Sequence, residues 1–313
     1  MQQEFVSLPK AQMKPADLQK TRILLSPLNW GSGHVARCIP LVHQLIQQEN
    51  RVLVACSNEQ RVIFQAYFNQ LDFIEHAPYP FHFGGRGHFG WDLLRRGGAL
   101  RKRLREEEME VSRYVKEYNI DCVISDHRYG FISDRVPSVF VTHQLNLPAP
   151  WFAFWVQKWH HRLIRRFQHI WVMDDADSRL AGALSENRHE FPVSYIGPFS
   201  RFQLYPRTSE EKTSTVFIAS GPEIYARQFI AMQHEYFKEG DTWIAPKNLI
   251  PGDKEGEMHS WREQDQIILQ AKKVVARCGY STLMDLDYLH TEAELSATPG
   301  QREQAYLLKF HKK

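Results

Sequence analysis

Two glycine-centred turns constrain the fold more than any other feature of this chain. Asn29-Trp30-Gly31-Ser32-Gly33-His34 lies near its start, and Ala276-Arg277-Cys278-Gly279-Tyr280-Ser281-Thr282 near its end. Each follows a short apolar run and precedes a helix-like stretch, the arrangement by which α/β proteins hold a phosphate or sugar at a helix N-terminus. Peptide N–H groups face the anion there, and glycine lets it come close. One such turn in each half predicts a nucleotide and its substrate in a cleft between two α/β domains. A chain of 313 residues is long enough for both.

The hydrophobic pattern agrees. Near-continuous apolar runs at 22–27 and 51–56 read as buried parallel strands. Helical spacing of Val35, Ile39, Val42, Leu45 and Ile46 lies between them, and a helix from Glu59 leads to a strand at 73–75. This is the β-α-β-α-β start of a doubly wound sheet. Arg101 to Tyr118 predicts a charged helix, and further strands are expected at 122–125, 138–142 and 170–173. The pattern divides the chain into a first domain over 1–197, a linker over 198–214 and a second domain over 215–313. The second domain restarts with a strand at 215–219, then Ser220-Gly221-Pro222-Glu223 and a helix.

Composition excludes several classes. A net charge of +3 is too small to argue for nucleic acid. The four cysteines sit singly in or beside apolar runs, which predicts buried thiols in a reducing compartment. No apolar run approaches the roughly 20 residues of a membrane span. A cytoplasmic protein is therefore expected. The aromatic and basic stretch 151–166 suits either a helix touching the inner face of the membrane or a domain-packing helix.

Candidate chemistry gathers at strand ends, where open parallel sheets bind ligands. His34, in the first turn, is a candidate general base; the alternative is a helix-starting residue. Asp126, His127 and Arg128 follow one predicted strand, and His143 and Gln144 follow the next. In the second domain the Gly279 amides with Ser281 and Thr282 suit a diphosphate, and Asp285 one turn on suits ribose hydroxyls. Glu303 and Gln304, at a loop-to-helix junction, suit sugar hydroxyls. Asp175-Ala176-Asp177 and Asp285-Leu286-Asp287 are weighed as metal sites. The first reads better as a helix start. In the second, i and i+2 side chains point apart. His82 and His88 lack zinc spacing, so no metal or cofactor is expected. Ala36 breaks the G-x-G-x-x-G dinucleotide fingerprint.

Taken in order, these stretches resemble GT-B glycosyltransferases. The resemblance is to family-28-like bacterial enzymes related to the N-acetylglucosaminyltransferase that makes lipid II. It is carried by 29–34, Ile124 to Gly130, Val141 to Leu145, 220–223, Arg277 to Leu286 and Thr298 to Gln301. It implies two Rossmann-like domains facing each other across a cleft, the first holding the acceptor and the second a nucleotide-sugar, usually a UDP-sugar. His34 is implied as base, with Gly31, Gly33, Asp126, His127, Arg128, His143 and Gln144 on the acceptor side. Ser220, Gly221, Arg277, Gly279, Ser281, Thr282, Asp285, Glu303 and Gln304 are implied on the donor side. Asp285 stands where a glutamate is usual.

The implied activity is an inverting, metal-independent hexosyl transfer to a sugar, lipid-linked or small-molecule acceptor. The rival readings are a nucleotide-sugar epimerase and a non-catalytic nucleotide-sugar-binding protein. Glu292 to Ser296 is too polar for the core strand expected there. The family usually continues past the last motif with helices that return to the first domain, so a shortened donor domain is expected.

Overall fold

In a computed structural model, the described residues are 12–79, 97–148, 154–206, 214–250 and 260–312. His82, His88, Trp151 and most of the 247–260 loop lie outside them.

The first domain is a seven-stranded parallel sheet. Its strands are β1 (Arg22–Pro27), β2 (Arg51–Cys56), β3 (Asp72–Glu75), β4 (Cys122–Asp126), β5 (Ser138–Thr142), β6 (His169–Val172) and β7 (Val193–Tyr195). Their order is β3-β2-β1-β4-β5-β6-β7. The crossover helices are α1 (Gly33–Gln47), α2 (Asn58–Gln65), α3 (Gly97–Glu117) and α4 (Phe154–Ile164). The β1, β2, β4 and β5 side chains are buried almost without interruption, which is why these strands read as continuous apolar runs.

The second domain is a four-stranded parallel sheet of order β11-β10-β8-β9. It is built from β8 (Ser214–Ile218), β9 (Thr242–Ile244), β10 (Ala271–Arg277) and β11 (Glu292–Ser296), with helices α5 (Glu223–Gln233), α6 (Trp261–Leu269), α7 (Tyr280–Leu289) and α8 (Arg302–His311). The polar segment 292–296 does form a strand, at the sheet edge, where Glu292, Ala293 and Glu294 remain exposed. An edge position tolerates the charges that a core strand would not.

The segment after β6 departs from the expected helix start. Asp174 is fully buried and accepts from the Leu180 and Ala181 N–H groups and the Ser185 hydroxyl, pinning an irregular turn. A carboxylate that finds backbone donors six and seven residues ahead closes a wider loop than a helix N-cap does.

One apolar core runs through both domains. Leu283 and Met284 of α7 and Leu307 of α8 bury together with Val35, Ile39 and Leu41 of α1. Helix α8 makes the return to the first domain itself: the Ala183 N–H donates to Tyr306 Oη at 2.7 Å, and His311 Nε2 reaches Leu180 O at 2.8 Å.

Helix α3 buttresses the turn after β4. A Cβ on Gly130 would lie 2.6 Å from Leu104 O and 2.6 Å from Glu107 Oε2. Because one obstacle is backbone, Gly130→Ala should destabilise by about 1–3 kcal/mol through overpacking. Chemical denaturation reads this directly.

Candidate active site

Each sheet has one point where strand order reverses, between β1 and β4 in the first and between β8 and β10 in the second. Loops leaving the carboxyl ends of strands diverge there and open a crevice. The glycine turn 29–34 leaves β1, and 277–282 leaves β10, so both lie at switch points. They meet. A Cβ on Gly33 would stand 2.6 Å from Ser281 Oγ of the other domain. The shared cleft has a volume of about 1600 Å³.

On the first-domain side, register places Pro27 opposite Asp126, and Asp126 opposite Val141. The residues just past these strand ends converge. His34 Nδ1 lies 2.7 Å from Asp126 Oδ2. Asp126 is fully buried, and its Oδ1 accepts from both Arg37 Nε, at 2.9 Å, and Arg37 Nη2. Arg37 Nη1 lies 2.7 Å from His143 Nδ1, and His143 Nε2 lies 2.9 Å from Glu303 Oε1 of α8. Tyr280 of α7 stacks on His143, with ring centroids 4.0 Å apart and planes 4° from parallel.

Two groups meet Nδ1: the Asp126 carboxylate, which is nearer, and Arg37 Nη2 at 2.9 Å. A proton on Nδ1 satisfies the carboxylate and leaves His34 Nε2 as a lone pair. His34 is 16% exposed, and it lines the cleft. Burial, and then the Arg37 charge, pull its pKa below the ordinary histidine value. For Asp126, burial alone would raise the pKa; Arg37 and His34 outweigh it and hold the carboxylate below its ordinary range. The pair is a neutral base backed by an anion.

Gly31, Gly33, His127, His143 and Gln144 line the same cleft. His127 adopts a φ of 60°, the left-handed region costly for a non-glycine residue. Its side chain bonds Thr142 Oγ1 at 3.1 Å. Arg128 does not reach the cleft. The turn at His127 sends it to the opposite face, where Nε donates to Glu107 Oε1 at 2.6 Å and Nη2 to Ala77 O at 2.9 Å. It anchors α3, which corrects its acceptor-side assignment.

On the second-domain side, Ser220, Gly221, Arg277, Gly279, Ser281 and Thr282 all line the cleft. Helices α5 and α7 both begin without a side-chain cap, at residues that line the cleft. Arg277 is 6% exposed; among the described residues its Nε and Nη2 have no hydrogen-bond partner. Burial lowers its pKa. Arg277 Nη1 donates to Ala297 O at 2.8 Å and to Ser296 Oγ at 3.3 Å, and the guanidinium lies over the Phe229 ring. A buried cation with two nitrogens still unmet and no counter-charge among the described residues suits an anion.

Asp285 lines the cleft, but Ser200 Oγ donates to its Oδ1 at 2.7 Å and Arg201 Nη1 donates to its Oδ2. Gln304 Oε1 accepts from the Thr298 N–H at 2.7 Å. Asp287 points the other way, to Arg179, as i and i+2 spacing requires. Asp175 is also bound to Arg179, at 3.0 Å.

Sequence reasoning missed Arg37 and Tyr280. Arg37 lies one turn after His34 on the helix face that also carries Leu41 and Gln44, away from the apolar face of Val35, Cys38 and Ile39, so its burial was not legible from spacing. Its burial in the structure is matched by the buried Asp126 carboxylate.

No protein-family model matches the chain, and no curated protein matches it in sequence. Solved structures do match in fold. The glycotransferase of kitacinnamycin superposes with a TM-score of 0.62 at 11% identity, covering 94% of this chain and 85% of that one. The spinosyn rhamnosyltransferase SpnG complexed with thymidine diphosphate gives 0.57 at 16% identity, covering 93% and 85%. UGT89C1 of Arabidopsis thaliana complexed with UDP-L-rhamnose gives 0.53 at 13% identity, covering 94% and 84%. The architecture is therefore GT-B: two Rossmann-like domains facing each other across a cleft.

Proposed function

We propose that this chain is a glycosyltransferase that moves a sugar from a nucleotide-sugar to an acceptor hydroxyl. One juxtaposition carries the reading. The carboxylate-backed base, His34 with Asp126, shares a single cleft with Arg277, whose Nε and Nη2 lack partners among the described residues, and with the uncapped α7 N-terminus.

The acceptor hydroxyl sits at His34 Nε2. Its oxygen attacks the anomeric carbon from the face opposite the nucleotide, so the configuration inverts. The bond from that carbon to the diphosphate oxygen breaks, and its electron pair leaves with the diphosphate. The hydroxyl proton passes to Nε2, and Asp126 stabilises the resulting imidazolium. Arg277 and the α7 amides take up the charge growing on the leaving group. That positive charge supports transfer without a metal ion.

A UDP- or dTDP-sugar is the proposed donor, in keeping with the nucleotides named for two of the structural neighbours. Trp30, Leu100, Leu147, Trp155 and Trp159 wall the first-domain end of the cleft. They favour an acceptor with an apolar body, lipid-linked or small. Among the described residues, no helix is long and apolar enough to cross a membrane. We place the enzyme in the cytoplasm, with the exposed Phe154 and Trp155 of α4 available to the membrane's inner face.

The test is a thermal-shift panel of UDP-, GDP-, ADP- and dTDP-sugars, followed by product analysis with and without an acceptor. One donor class should raise the melting temperature, as selective native-state binding requires. Arg277→Leu should weaken that donor about 10- to 100-fold, since charge-assisted bonds to a buried cation are worth roughly 1.5–3 kcal/mol. No shift with any donor would reject the reading. Products formed without an acceptor would favour an epimerase.

A further inference from the structure

Glu303 belongs to the second domain, yet its carboxylate meets the first domain's His143, 2.9 Å away. From there an unbroken hydrogen-bonded line leads back to the base: His143 Nδ1 to Arg37 Nη1 at 2.7 Å, Arg37 to Asp126, and Asp126 to His34 at 2.7 Å. Donor and acceptor types set the protons along the line, with the nearer Asp126 carboxylate taking the His34 Nδ1–H although Arg37 Nη2 also lies 2.9 Å from that nitrogen. Arg37 can only donate, so His143 Nδ1 must accept. His143 Nε2 therefore carries its proton, and that proton needs an acceptor, which Glu303 supplies. Tyr280, stacked on the His143 ring, fixes the plane in which it lies.

We propose that Glu303 is a positioning residue for His34, acting through His143 and Arg37, so that the base of the first domain is set by a carboxylate of the second. This inference rests on the glycosyl-transfer reading for its catalytic consequence only. It assigns Glu303 a task other than contacting the donor sugar. The groups facing His34 are Arg37 from α1, Asp126 and His127 from β4 and its turn, His143 after β5, and Glu303 from α8. With His34 and His143 neutral, Asp126, Arg37 and Glu303 sum to one negative charge, and a proton on His34 brings that sum to zero. Removing the Glu303 charge leaves the imidazolium less well compensated, so His34 should bind its proton more weakly.

The experiment is imidazole ¹⁵N spectroscopy of the ¹⁵N-labelled full chain across the histidine titration range. Glu303→Gln is compared with wild type, and His34→Gln identifies the His34 signals. Glu294→Gln, on the exposed edge strand, is the control. Glu303→Gln keeps the side chain's shape and should melt as wild type does. We expect the Glu303→Gln midpoint of His34 to fall by about 0.5 pH unit or more, with the His143 tautomer disturbed and the control unchanged. An unmoved His34 overturns the proposal, whether or not His143 responds.

Turnover adds a second readout, using whichever nucleotide-sugar the thermal-shift panel identifies. Glu303→Gln should lower kcat about tenfold, leave the donor KM within about twofold, and move the acid limb of the rate profile to lower pH. A raised donor KM with an unmoved acid limb would make Glu303 a sugar contact and overturn the positioning role. A wild-type chain that transfers no sugar rejects the glycosyltransferase reading, while the spectra still decide the line from Glu303 to His34.

Discussion

His34→Gln should lower kcat/KM by about 10²- to 10⁴-fold, the usual contribution of a positioned general base, while nucleotide-sugar binding persists. The asymmetry follows from where the two tasks lie. In the proposed reading, proton removal belongs to His34 Nε2, whereas donor affinity belongs to Arg277, Ser281 and the uncapped α7 N-terminus in the other domain. The wild-type pH dependence follows from the same environment. As the proposed base, His34 would work only when neutral. Burial and the Arg37 charge lower its pKa, so it loses its proton earlier as pH rises than an ordinary histidine does. The acid limb of kcat/KM should therefore lie below about 6.5, and His34→Gln should abolish it. A variant that turns over at the wild-type rate would remove His34 from the reaction and leave the fold untouched.

Much of this site was legible in sequence because parallel sheets make the ends of buried strands meaningful. Apolar runs at β1, β4 and β5 fixed where the chain emerges at the crevice, so His34, Asp126 and His143 could be picked from patterns a few residues long. Direction at a strand end was not legible. His127 takes the left-handed conformation and Arg128 turns to the opposite face, a result of backbone dihedrals that no spacing encodes. Partnership across long separations was not legible either. His34 and Asp126 are 92 positions apart, and His143 and Glu303 are 160. The polar β11 misled for a related reason: its composition describes an edge, and only pairing reveals which strand is the edge. Arg37 is the instructive omission: helical spacing puts it with His34 and Gln44, away from the apolar face, and only its contact with the distant Asp126 explains its burial.

Asp126→Asn should damage stability and chemistry together. Asp126 Oδ1 accepts two Arg37 N–H groups and Oδ2 accepts the His34 Nδ1–H. An asparagine amide has one acceptor oxygen and one NH₂, so either Arg37 or His34 must face a donor. Arg37, 3% exposed, also loses its counter-charge. Breaking a buried ion pair from one side costs about 3–5 kcal/mol, which denaturant titration will read. If the NH₂ faces His34, the imidazole must carry its proton on Nε2 and cannot accept from the acceptor hydroxyl. A comparable wrong-tautomer change in a serine-protease triad costs about 10⁴ in kcat. The pH dependence has a definite sign. The folded-state pKa of Asp126 lies below its ordinary value. Its stabilisation is therefore complete above the unfolded value of about 3.9 and is lost as pH falls through the folded one. Asp126→Asn should flatten that acid loss.

The double variant Arg37→Leu, Asp126→Asn separates the two effects. Removing the cation relieves the uncompensated charge, so the double variant should be more stable than Asp126→Asn alone, with a clear non-additive term. Catalysis should not recover fully, because the amide oxygen, now free of Arg37, can set the His34 tautomer but carries no charge to stabilise the imidazolium. Recovery of both would make Asp126 a structural partner of Arg37 and nothing more. Recovery of stability alone assigns it to the base.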